Sequence, residues 1–417
     1  ENLQKTNAAE LDDLDVKVFS GLGVASIDRA GRTVTDQEGQ VFPYDKLILA
    51  TGSRANIPAD VPAEKKGIFT MRQREDAERL MRFLTPSSKA VIVGGGLLGL
   101  ELADALTELN TEVSIVQRSS RLMDRQLDVL ASELLNEELQ DRGIKVYFND
   151  EILSISGVEA VSGIKLKSGK FISCDILIYA IGTVPNTELS KSSGLKCNRG
   201  VCVNDYLQTS DPDIFAVGEI AEHNGSLYGI TAAAEEQAEI LAEYLNGNEA
   251  SYYSGSLSMN ILKVKGLNLC SLGIVEYPEE DKDYESVTII DKASRYYKKC
   301  IIYKDKLVGA ILLGDKSEFK EYKELIGGKL ELADKRKKLL RGGEGSAKVV
   351  EGKLVCSCNN VGEGNIKKVL QKGCTELKMV CLETGAGTGC GSCRPEVKKL
   401  IEQFEEVVGG TEILEKL

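Results

Sequence analysis

Long apolar stretches, basic charge and histidine are all scarce in this sequence of 417 residues. No run of about 18 apolar residues occurs, which argues against a membrane-spanning helix. The formal net charge is −12, which argues against a nucleic-acid scaffold, because such a protein presents a basic face to phosphates. The chain has a single histidine, His223, but eleven cysteines, so metal or redox chemistry has to be sought among the thiols.

The remaining composition is that of an ordinary globular protein, with 42% apolar and 28% charged residues. A chain of this length is long enough for two to four domains. No signal peptide is visible, and an odd number of scattered cysteines is typical of reduced thiols. We therefore expect a cytoplasmic protein. The sequence begins at Glu1, in a polar stretch, rather than at a methionine.

Two parts of the sequence repeat one another at a nearly fixed distance. The segment DKLILATGSRAN (45–56) matches DILIYAIGTVPN (175–186) at an offset of 130 residues. The segment VKVFSGLGVASID (16–28) parallels IKVYFNDEILSIS (144–156) at an offset of 128 residues. Such self-similarity predicts a duplicated unit, here a strand, a polar hairpin and a buried strand that ends in a glycine turn.

The second copy contains a glycine-rich loop between a strand and a helix. The segment AVIVGGGLLGLELADAL (90–106) has the spacing Gly94-x-Gly96-x-x-Gly99, and a further strand, TEVSIVQ, closes the βαβ unit. Gly94 permits the tight turn, Gly96 lets a pyrophosphate approach the backbone, and Gly99 lets the helix pack on the strand. This context predicts a dinucleotide site.

The first copy has no such loop within the sequence. Subtracting 128 from 94 places the corresponding glycine before Glu1. Two interpretations follow: the glycine loop lies upstream of the sequence in hand, or the first domain has lost its nucleotide site. The start at Glu1 favours the first interpretation. We expect that these 417 residues alone would not retain FAD and that about 60–80 upstream residues would restore it.

Three motifs together resemble the flavoprotein pyridine-nucleotide oxidoreductases: ATGS (50–53), GGGLLGLE (94–101) and TSDPDIFAVGEIA (209–221). The resemblance implies an α/β fold with two Rossmann-like dinucleotide-binding domains, one for FAD and one for NAD(P)H. The implied domains are residues 1–60 with 187–250 for FAD, incomplete at the N-terminus, and residues 61–186 for NAD(P)H.

The resemblance also implies site residues. Glu101 would lie near the nicotinamide and the flavin ring as a catalytic residue, although a first-turn acid favoured by the helix dipole is the simpler interpretation. Glu219 stands where the family usually has an Asp that contacts the flavin. The implied cofactor-binding residues are Thr51, Gly52, Ser53, Gly94, Gly96, Leu98, Gly99, Gln117, Arg118, Gly182, Gly218 and Glu219.

The choice between NADH and NADPH stays open. Gln117 stands where NAD-preferring enzymes carry an acid for the ribose 2′-hydroxyl. Arg118 and Arg121 follow and could pair with a 2′-phosphate, or could be solvated loop residues.

The C-terminal third divides into smaller parts. Residues 251–326 are rich in strands and predict a small α/β domain, which the resemblance makes the reductase C-terminal domain. Residues 327–352 lose periodicity and predict a linker, residues 353–404 hold six cysteines, and residues 405–417 form a tail.

Four of those six cysteines occur in CSCNN (356–360) and GTGCGSC (387–393). The residues themselves leave zinc, an iron–sulfur cluster or two disulfides open. The C-x-C spacing disfavours zinc, and the flanking glycines favour a cluster, because a backbone without Cβ atoms can bring N–H groups close to sulfur. Pro395 then predicts the start of a helix.

This segment resembles the bacterioferritin-associated ferredoxin-like [2Fe–2S] domain. The resemblance implies that Cys356, Cys358, Cys390 and Cys393 hold one [2Fe–2S] cluster. Cys374 and Cys381 are interpreted as packing residues of an intervening helix. The remaining cysteines are single and lie on strands.

The order of the parts resembles the N-terminal part of the assimilatory NAD(P)H-nitrite reductase large subunits and the nitrate-reductase electron-transfer subunits. It implies a flavin and iron–sulfur oxidoreductase that passes electrons from NAD(P)H to a redox partner: a sirohaem nitrite reductase, a nitrate reductase or a small electron carrier. No nucleic acid or membrane partner is expected, and a homodimer is one option. Nothing in these 417 residues would ligate sirohaem, so we do not expect them to complete nitrite reduction.

Three rival functions remain. A disulfide reductase is disfavoured because the C-terminal histidine motif of the glutathione-reductase type is missing, His223 being the sole histidine. The others are a [2Fe–2S] carrier on an inactive reductase scaffold and a subunit of a flavin-dependent amine or amino-acid dehydrogenase. Flavin absorbance and NAD(P)H oxidation would separate the carrier from the enzyme.

Overall fold

The structure, a computed structural model, describes residues 16–341 and 350–414. The described chain forms two compact units, each assembled from separate stretches of sequence. Unit 1 takes residues 16–53, 185–256 and 350–414, and unit 2 takes residues 54–184 and 257–341.

Most of the described chain consists of runs of strands separated by helices. The strands are β1 (Val24–Asp28), β2 (Thr33–Asp36), β3 (Val41–Pro43), β4 (Leu47–Leu49), β5 (Ser53–Ala55), β6 (Ile68–Thr70), β7 (Lys89–Val93), β8 (Glu112–Gln117), β9 (Lys145–Phe148), β10 (Ile152–Ser156), β11 (Gly163–Leu166), β12 (Phe171–Ile172), β13 (Ile176–Tyr179), β14 (Thr183–Pro185), β15 (Val201–Val203), β16 (Ile214–Ala216), β17 (Ala221–His223), β18 (Ser226–Leu227), β19 (Met259–Val264), β20 (Leu267–Gly273), β21 (Tyr284–Asp291), β22 (Tyr296–Tyr303), β23 (Lys306–Leu313), β24 (Leu354–Cys356) and β25 (Val361–Gly362). The helices are α1 (Arg74–Phe83), α2 (Leu97–Glu108), α3 (Val129–Asp141), α4 (Glu188–Ser192), α5 (Thr231–Leu245), α6 (Phe319–Gly327), α7 (Arg336–Arg341), α8 (Glu363–Leu370), α9 (Leu377–Thr384) and α10 (Arg394–Leu414). Two 3₁₀ turns cover Gly218–Ile220 and Ala333–Lys335.

The core of unit 2 is a parallel sheet with the strand order β6-β13-β7-β8-β9. Its central strands are continuous apolar runs, as expected for a sheet that is covered on both faces. Successive side chains alternate between two cores: Ile92 and Ile115 belong to one, while Val91 and Val116 belong to the other. The βαβ unit predicted around the glycine loop is present as β7, α2 and β8.

A second sheet of unit 2 is antiparallel, with the order β19-β20-β23-β22-β21. One of its faces is covered by α6, whose Phe319, Tyr322 and Leu325 are buried. Leu332 and Leu339 also join this core. The first part of the segment that composition predicted to be a linker therefore packs on the sheet through apolar side chains.

Unit 1 combines short sheets with helices. Strand β4 pairs with β16 in parallel, and the strands β15, β17 and β18 form a second sheet. The buried side chains of Leu49, Val201, Ile214 and Ile220 belong to one core. The hairpin β24–β25 and the helices α8, α9 and α10 form the C-terminal part of the unit.

The predicted duplication is visible in strand register. The sheet β1-β2-β3 has an irregularity between Val24 and Ser26, and the sheet β10-β11-β12 has the same irregularity between Ile152 and Ser154. Both positions differ by the 128 residues of the sequence repeat. A β-bulge is a specific local feature, so its recurrence at the same place supports a duplicated unit.

Across residues 16–341 and 350–414, no helix is long and apolar enough to cross a bilayer.

Candidate functional site

The glycine loop of unit 2 joins the end of β7 to the start of α2. Gly94 has a φ of +110°, and a Cβ there would lie 2.5 Å from the Ala180 carbonyl oxygen. A Cβ on Gly99 would lie 2.0 Å from the Gly94 carbonyl oxygen, so only glycine allows this approach of helix to turn. A Cβ on Gly96 would meet no atom within 4 Å. The loop thus leaves open space at Gly96, the residue that precedes α2, as pyrophosphate binding requires.

Gln117 supports this loop from the end of β8. Its side chain is buried, and its Oε1 accepts a hydrogen bond of 2.7 Å from the Gly95 N–H. Its Nε2 donates to Ser119 Oγ (2.6 Å) and to the Arg121 carbonyl oxygen (3.0 Å). The sequence suggested Gln117 as a ribose contact. In the structure its amide braces the loop, a contact that sequence reasoning missed.

The other predicted nucleotide residues differ in how they are held. Arg121 forms an ion pair with Glu276, with 2.5 Å between Nη1 and Oε1, and Nη2 donates to the Asp124 carbonyl oxygen. The Arg118 side chain is exposed, as is that of Leu98 in the first turn of α2. Gly182 has a φ of +93° and open space around its Cβ position.

Glu101 lies on α2 and contacts the antiparallel sheet of the same unit. Its Oε1 accepts a hydrogen bond of 3.0 Å from the backbone N–H of Lys263 in β19. Asp104, almost one turn later, accepts from the backbone N–H of Lys265 at 3.1 Å. The two carboxylates therefore bind backbone donors in β19 and directly after it, which gives Glu101 a structural contact. Its predicted role near the nicotinamide stays a prediction.

In unit 1 the predicted flavin-side residues come together. Ser53 Oγ donates to Glu219 Oε2 at 2.9 Å, which joins the two family motifs that contribute them. Gly52 and Gly218 both have a positive φ, of +61° and +78°. Bare backbone at two neighbouring turns is what close approach of a bulky cofactor requires.

Two residues that the sequence did not single out support these turns. Asn186 donates from Nδ2 to the Thr51 carbonyl oxygen (2.9 Å) and from its backbone N–H to that of Gly52 (3.0 Å). The fully buried Gln237 of α5 accepts a hydrogen bond of 2.7 Å from the Gly218 N–H. Asn186 has a counterpart in the repeat, Asn56, and this recurrence is a sequence signal that could have identified Asn186. No sequence signal marked Gln237, apart from its being a polar residue among the apolar residues of a helix.

The four predicted cluster cysteines converge from two segments. Cys356 ends β24 and Cys358 follows it, whereas Cys390 and Cys393 lie between α9 and α10. Cys358 Sγ lies 3.2 Å from Cys390 Sγ, and Cys356 contacts the thiols of both Cys358 and Cys393. All four are free thiols, of which Cys390 is the most exposed. Two disulfides, one of the alternatives left open by the sequence, do not occur in this structure.

Side chains and backbone tie the two segments together. Asn359 donates from Nδ2 to the Gly385 carbonyl oxygen and to Thr388 Oγ1 (3.0 Å). The Gly387 N–H points at Cys393 Sγ, at 3.1 Å, and also contacts Cys356. Gly385 and Gly387 both have a positive φ, so glycine is what lets the loop turn its N–H groups toward sulfur.

The thiols influence each other's titration. Hydrogen bonds from Cys358 and Cys393 lower the pKa of Cys356. The contact with Cys356, reinforced by burial, raises the pKa of Cys358 and of Cys393. Thiolates are the form that binds iron.

This arrangement fits a [2Fe–2S] cluster. Such a cluster takes four cysteine thiolates, divided between two irons. Four convergent thiols, of which Cys356, Cys358 and Cys393 receive backbone N–H groups, match the donor set of the two-iron cluster.

The other cysteines have ordinary packing environments. Burial raises the pKa of Cys174 and of Cys270 to about 12, and that of Cys300 to about 11. Buried thiols of this kind are inert. Cys381 lies on α9 beneath the loop that contains Gly387, and its Sγ would be 3.1 Å from a Cβ on Gly387. It packs against the loop, as the sequence predicted.

Comparison with protein families accounts for three stretches of the chain. Residues 2–238, more than half of it, match the family model described as pyridine nucleotide-disulphide oxidoreductase. Residues 259–330 match the rubredoxin NAD+ reductase C-terminal domain, and residues 354–403 match the BFD-like [2Fe-2S] binding domain. These matches confirm the predicted fold class and the three cofactors, FAD, NAD(P)H and [2Fe–2S].

Two curated relatives come from Bacillus subtilis (strain 168). "Nitrite reductase [NAD(P)H]" is 35% identical over 399 residues, which are 94% of this chain and 49% of that protein. "Assimilatory nitrate reductase electron transfer subunit" is 35% identical over 395 residues, 94% of this chain and 51% of that protein. The chain thus spans about half the length of these relatives. The predicted resemblance to both groups is confirmed.

A solved structure shows the same fold. The NADH:rubredoxin oxidoreductase from Clostridium acetobutylicum is 30% identical, with a TM-score of 0.62. The alignment covers 79% of this chain and 81% of that one.

Proposed function

Because the chain belongs to the pyridine nucleotide-disulphide oxidoreductase family, we propose that it passes electrons from NAD(P)H through FAD to a [2Fe–2S] cluster and on to a partner protein. The observation that carries this proposal is the convergence of four free thiols in a chain that also has the nucleotide loop of a reductase. NAD(P)H supplies electrons in pairs as hydride, FAD can accept a pair and release electrons singly, and an iron–sulfur cluster carries one at a time.

In this proposal the glycine loop binds the NAD(P)H pyrophosphate. The open position at Gly96 admits the phosphates, and the N-terminus of α2 directs N–H groups toward them. Gln117 keeps the Gly95 peptide in place. Gly94, Leu98, Gly99 and Gly182 complete the nucleotide-side residues. Arg118 is the better candidate for a 2′-phosphate, since Arg121 already pairs with Glu276.

On the flavin side, Thr51, Gly52 and Ser53 would hold FAD together with Gly218 and Glu219. The hydrogen bond between Ser53 and Glu219 orients the carboxylate, and Glu is one methylene longer than the Asp usual in the family. Glu101, whose Oε1 accepts a hydrogen bond from the Lys263 N–H, would lie near the nicotinamide and the flavin ring as a catalytic residue.

The four cysteines, Cys356, Cys358, Cys390 and Cys393, would hold the cluster. Cys356 and Cys358 are almost completely buried, which excludes water from one side of the site. Cys390 is more exposed, and this is the side on which a redox partner could approach.

The partner that the proposal favours is a nitrite or nitrate reductase, because the relatives named for those activities align with 94% of this chain. Those relatives are about twice as long as this chain. The identity of the terminal electron acceptor is therefore part of our proposal. A cytoplasmic site fits the many free thiols, which a reducing compartment preserves. A homodimer stays a prediction that sedimentation would test.

The experiment is cofactor analysis and turnover of the protein, purified with its natural termini. Anaerobically purified protein should contain FAD and about two irons and two sulfides per chain. It should reduce ferricyanide with NAD(P)H. Stoichiometric zinc without iron would contradict the cluster. Iron and sulfide without flavin or NAD(P)H oxidation would favour the rival, a carrier on an inactive scaffold.

A further inference from the structure

Within unit 1, the cysteine loop contacts helix α5 of the flavin half. Glu235 Oε2 lies 3.9 Å from Arg394 Nη1, and the Glu235 side chain is about one-third exposed. A Cβ on Gly391, between Cys390 and Cys393, would lie 3.8 Å from the same carboxylate oxygen. One acidic side chain of α5 therefore pairs with Arg394 and lies beside the loop between Cys390 and Cys393.

Arg394 also supports the turn at Gly387, within the same segment. Its Nε donates a hydrogen bond of 3.0 Å to the Gly387 carbonyl oxygen. A Cβ on Gly387 would lie 2.8 Å from Arg394 Cγ, so the arginine stem runs directly beneath this glycine. The N–H of Gly387 reaches Cys393 Sγ and contacts Cys356. Arg394 is thus connected through one residue to two of the four thiols.

We propose that Arg394 is a positioning residue that holds Gly387 against the thiols and ties the cysteine loop to α5 through Glu235. It thereby raises the reduction potential of the cluster and fixes the cluster loop on the flavin half. The proposal rests on the proposed function in one respect, namely that the four cysteines hold a [2Fe–2S] cluster.

Because Arg394 and Glu235 carry opposite charges, their substitutions should have opposite effects on the midpoint potential of the cluster. Reduction adds one electron to the cluster, so a nearby positive charge and N–H donors to sulfur stabilise the reduced form. Loss of Arg394 should therefore lower the midpoint potential, because the charge is removed and the Gly387 N–H is released. Loss of the Glu235 charge should raise the potential, because it removes a carboxylate while the Arg394 bond to Gly387 remains.

The experiment is an EPR-monitored redox titration of the full protein, with iron and sulfide measured in each sample. The variants are Arg394→Gln, Arg394→Lys and Glu235→Gln. The control is Glu239→Gln, which makes the same charge change one turn further along α5, at an exposed residue. Arg394→Gln should change the one-electron equilibrium about threefold, which is roughly 30 mV in the negative direction. Arg394→Lys should shift it less, and Glu239→Gln should leave it at the wild-type value.

Glu235→Gln should shift the potential in the positive direction. It should also increase hydrogen exchange in residues 387–393, because the loop loses its contact with α5, whereas Glu239→Gln should not. If Arg394→Gln fails to assemble a cluster, the midpoint potentials of Arg394→Lys and Glu235→Gln still test the inference. Shifts of the same sign in Arg394→Gln and Glu235→Gln, or none in either with full iron content, would overturn the inference. Absence of iron from the wild-type protein would instead overturn the proposed function.

Discussion

The glycine loop of unit 2 and the cysteine site of unit 1 use opposite means to prepare a binding site. At the glycine loop the important feature is space: Gly96 has no neighbour within 4 Å of its Cβ position, and Gly99 approaches the Gly94 carbonyl oxygen. At the cysteine site the ligands are side chains, and they come from segments about thirty residues apart.

This difference affects how each site fails. The glycine loop is continuous in sequence and rests on a buried parallel sheet, so its shape depends mainly on backbone conformation. The cysteine site depends on longer-range ties, from Asn359 to Gly385 and from Arg394 to Gly387. A ligand substitution should therefore abolish the cysteine site, whereas substitutions at the glycine loop should weaken binding or packing by graded amounts.

The largest expected effect is at a cluster ligand. Cys390→Ser should remove the cluster completely while the nucleotide loop of unit 2 still binds NAD(P)H, since a neutral serine replaces a thiolate ligand. Iron and sulfide analysis measures the loss, and equilibrium binding of NADPH measures the other site. Cys270→Ser, in the buried antiparallel sheet, is the control and should keep its iron. Full cluster content in Cys390→Ser would show that Cys390 is not a ligand.

Two glycine variants separate the roles of space and packing. In Gly99→Ala the new methyl group would overlap the Gly94 carbonyl oxygen, so both stability and nucleotide binding should fall. In Gly96→Ala the methyl group enters open space, so the melting temperature should stay unchanged while NAD(P)H affinity drops about tenfold, roughly 1.4 kcal/mol. Thermal melts and calorimetric titration measure the two quantities. Unchanged affinity in Gly96→Ala would mean that the nucleotide does not approach this position.

A largely buried ion pair inside unit 2 joins the N-terminus of α3 to β22 of the antiparallel sheet. Asp128 Oδ2 accepts from Lys299 Nζ (2.8 Å) and from the Tyr297 hydroxyl (2.6 Å), and Oδ1 caps α3 at Ala131. Burial alone would raise the pKa of Asp128, but these hydrogen bonds outweigh burial and lower the pKa below its ordinary value. Asp128→Asn should cost about 1.5–3 kcal/mol of unfolding free energy at pH 7, because bonds to a charged group are lost.

The sign of the pH dependence follows from the lowered pKa. The ionised Asp128 contributes its full stabilisation above the unfolded-state pKa of about 3.9 and loses it as the pH falls through the lower folded-state value. The difference between wild type and Asp128→Asn should therefore shrink below about pH 4. Urea unfolding followed by circular dichroism at neutral and acidic pH measures this difference. A difference in unfolding free energy that stays constant across that pH range would show that the ionised Asp128 does not stabilise the fold through this ion pair.

The smallest expected effect concerns cofactor choice. Arg118→Ala should lower kcat/KM for NADPH relative to NADH by about fivefold, or roughly 1 kcal/mol, the scale of an exposed charge pair. Arg121→Ala should change this ratio less, because Arg121 already pairs with Glu276. Equal ratios in wild type and Arg118→Ala would exclude Arg118 as a 2′-phosphate contact.

Local patterns predicted much of the fold. The βαβ unit at Gly94 and the duplicated hairpin are encoded in short stretches, where periodicity and glycine spacing decide the structure. The helix α7 and the burial of Leu332 and Leu339 were missed, because the packing partners lie far away in the sequence. Composition alone described that segment as a linker.

The candidate sites, like the fold, combine features that the sequence could predict with features that it could not. The four cysteines could be identified because ligand residues are chemically distinctive. The supporting contacts could not: Gln117, Asn359 and Arg394 form hydrogen bonds to backbone groups of residues that only the fold brings near. Residue type does not specify such contacts, since an exposed arginine or a buried glutamine has many other uses.

The most direct test of the central claim is anaerobic reduction of the full protein by NAD(P)H, followed by EPR. If electrons pass from the nucleotide through flavin to the four cysteines, the flavin absorbance should fall and the signal of a reduced [2Fe–2S] cluster should appear. The signal should be absent in Cys390→Ser, which should still bleach its flavin. Bleaching of the wild-type flavin without a cluster signal, in protein of full iron content, would contradict the account.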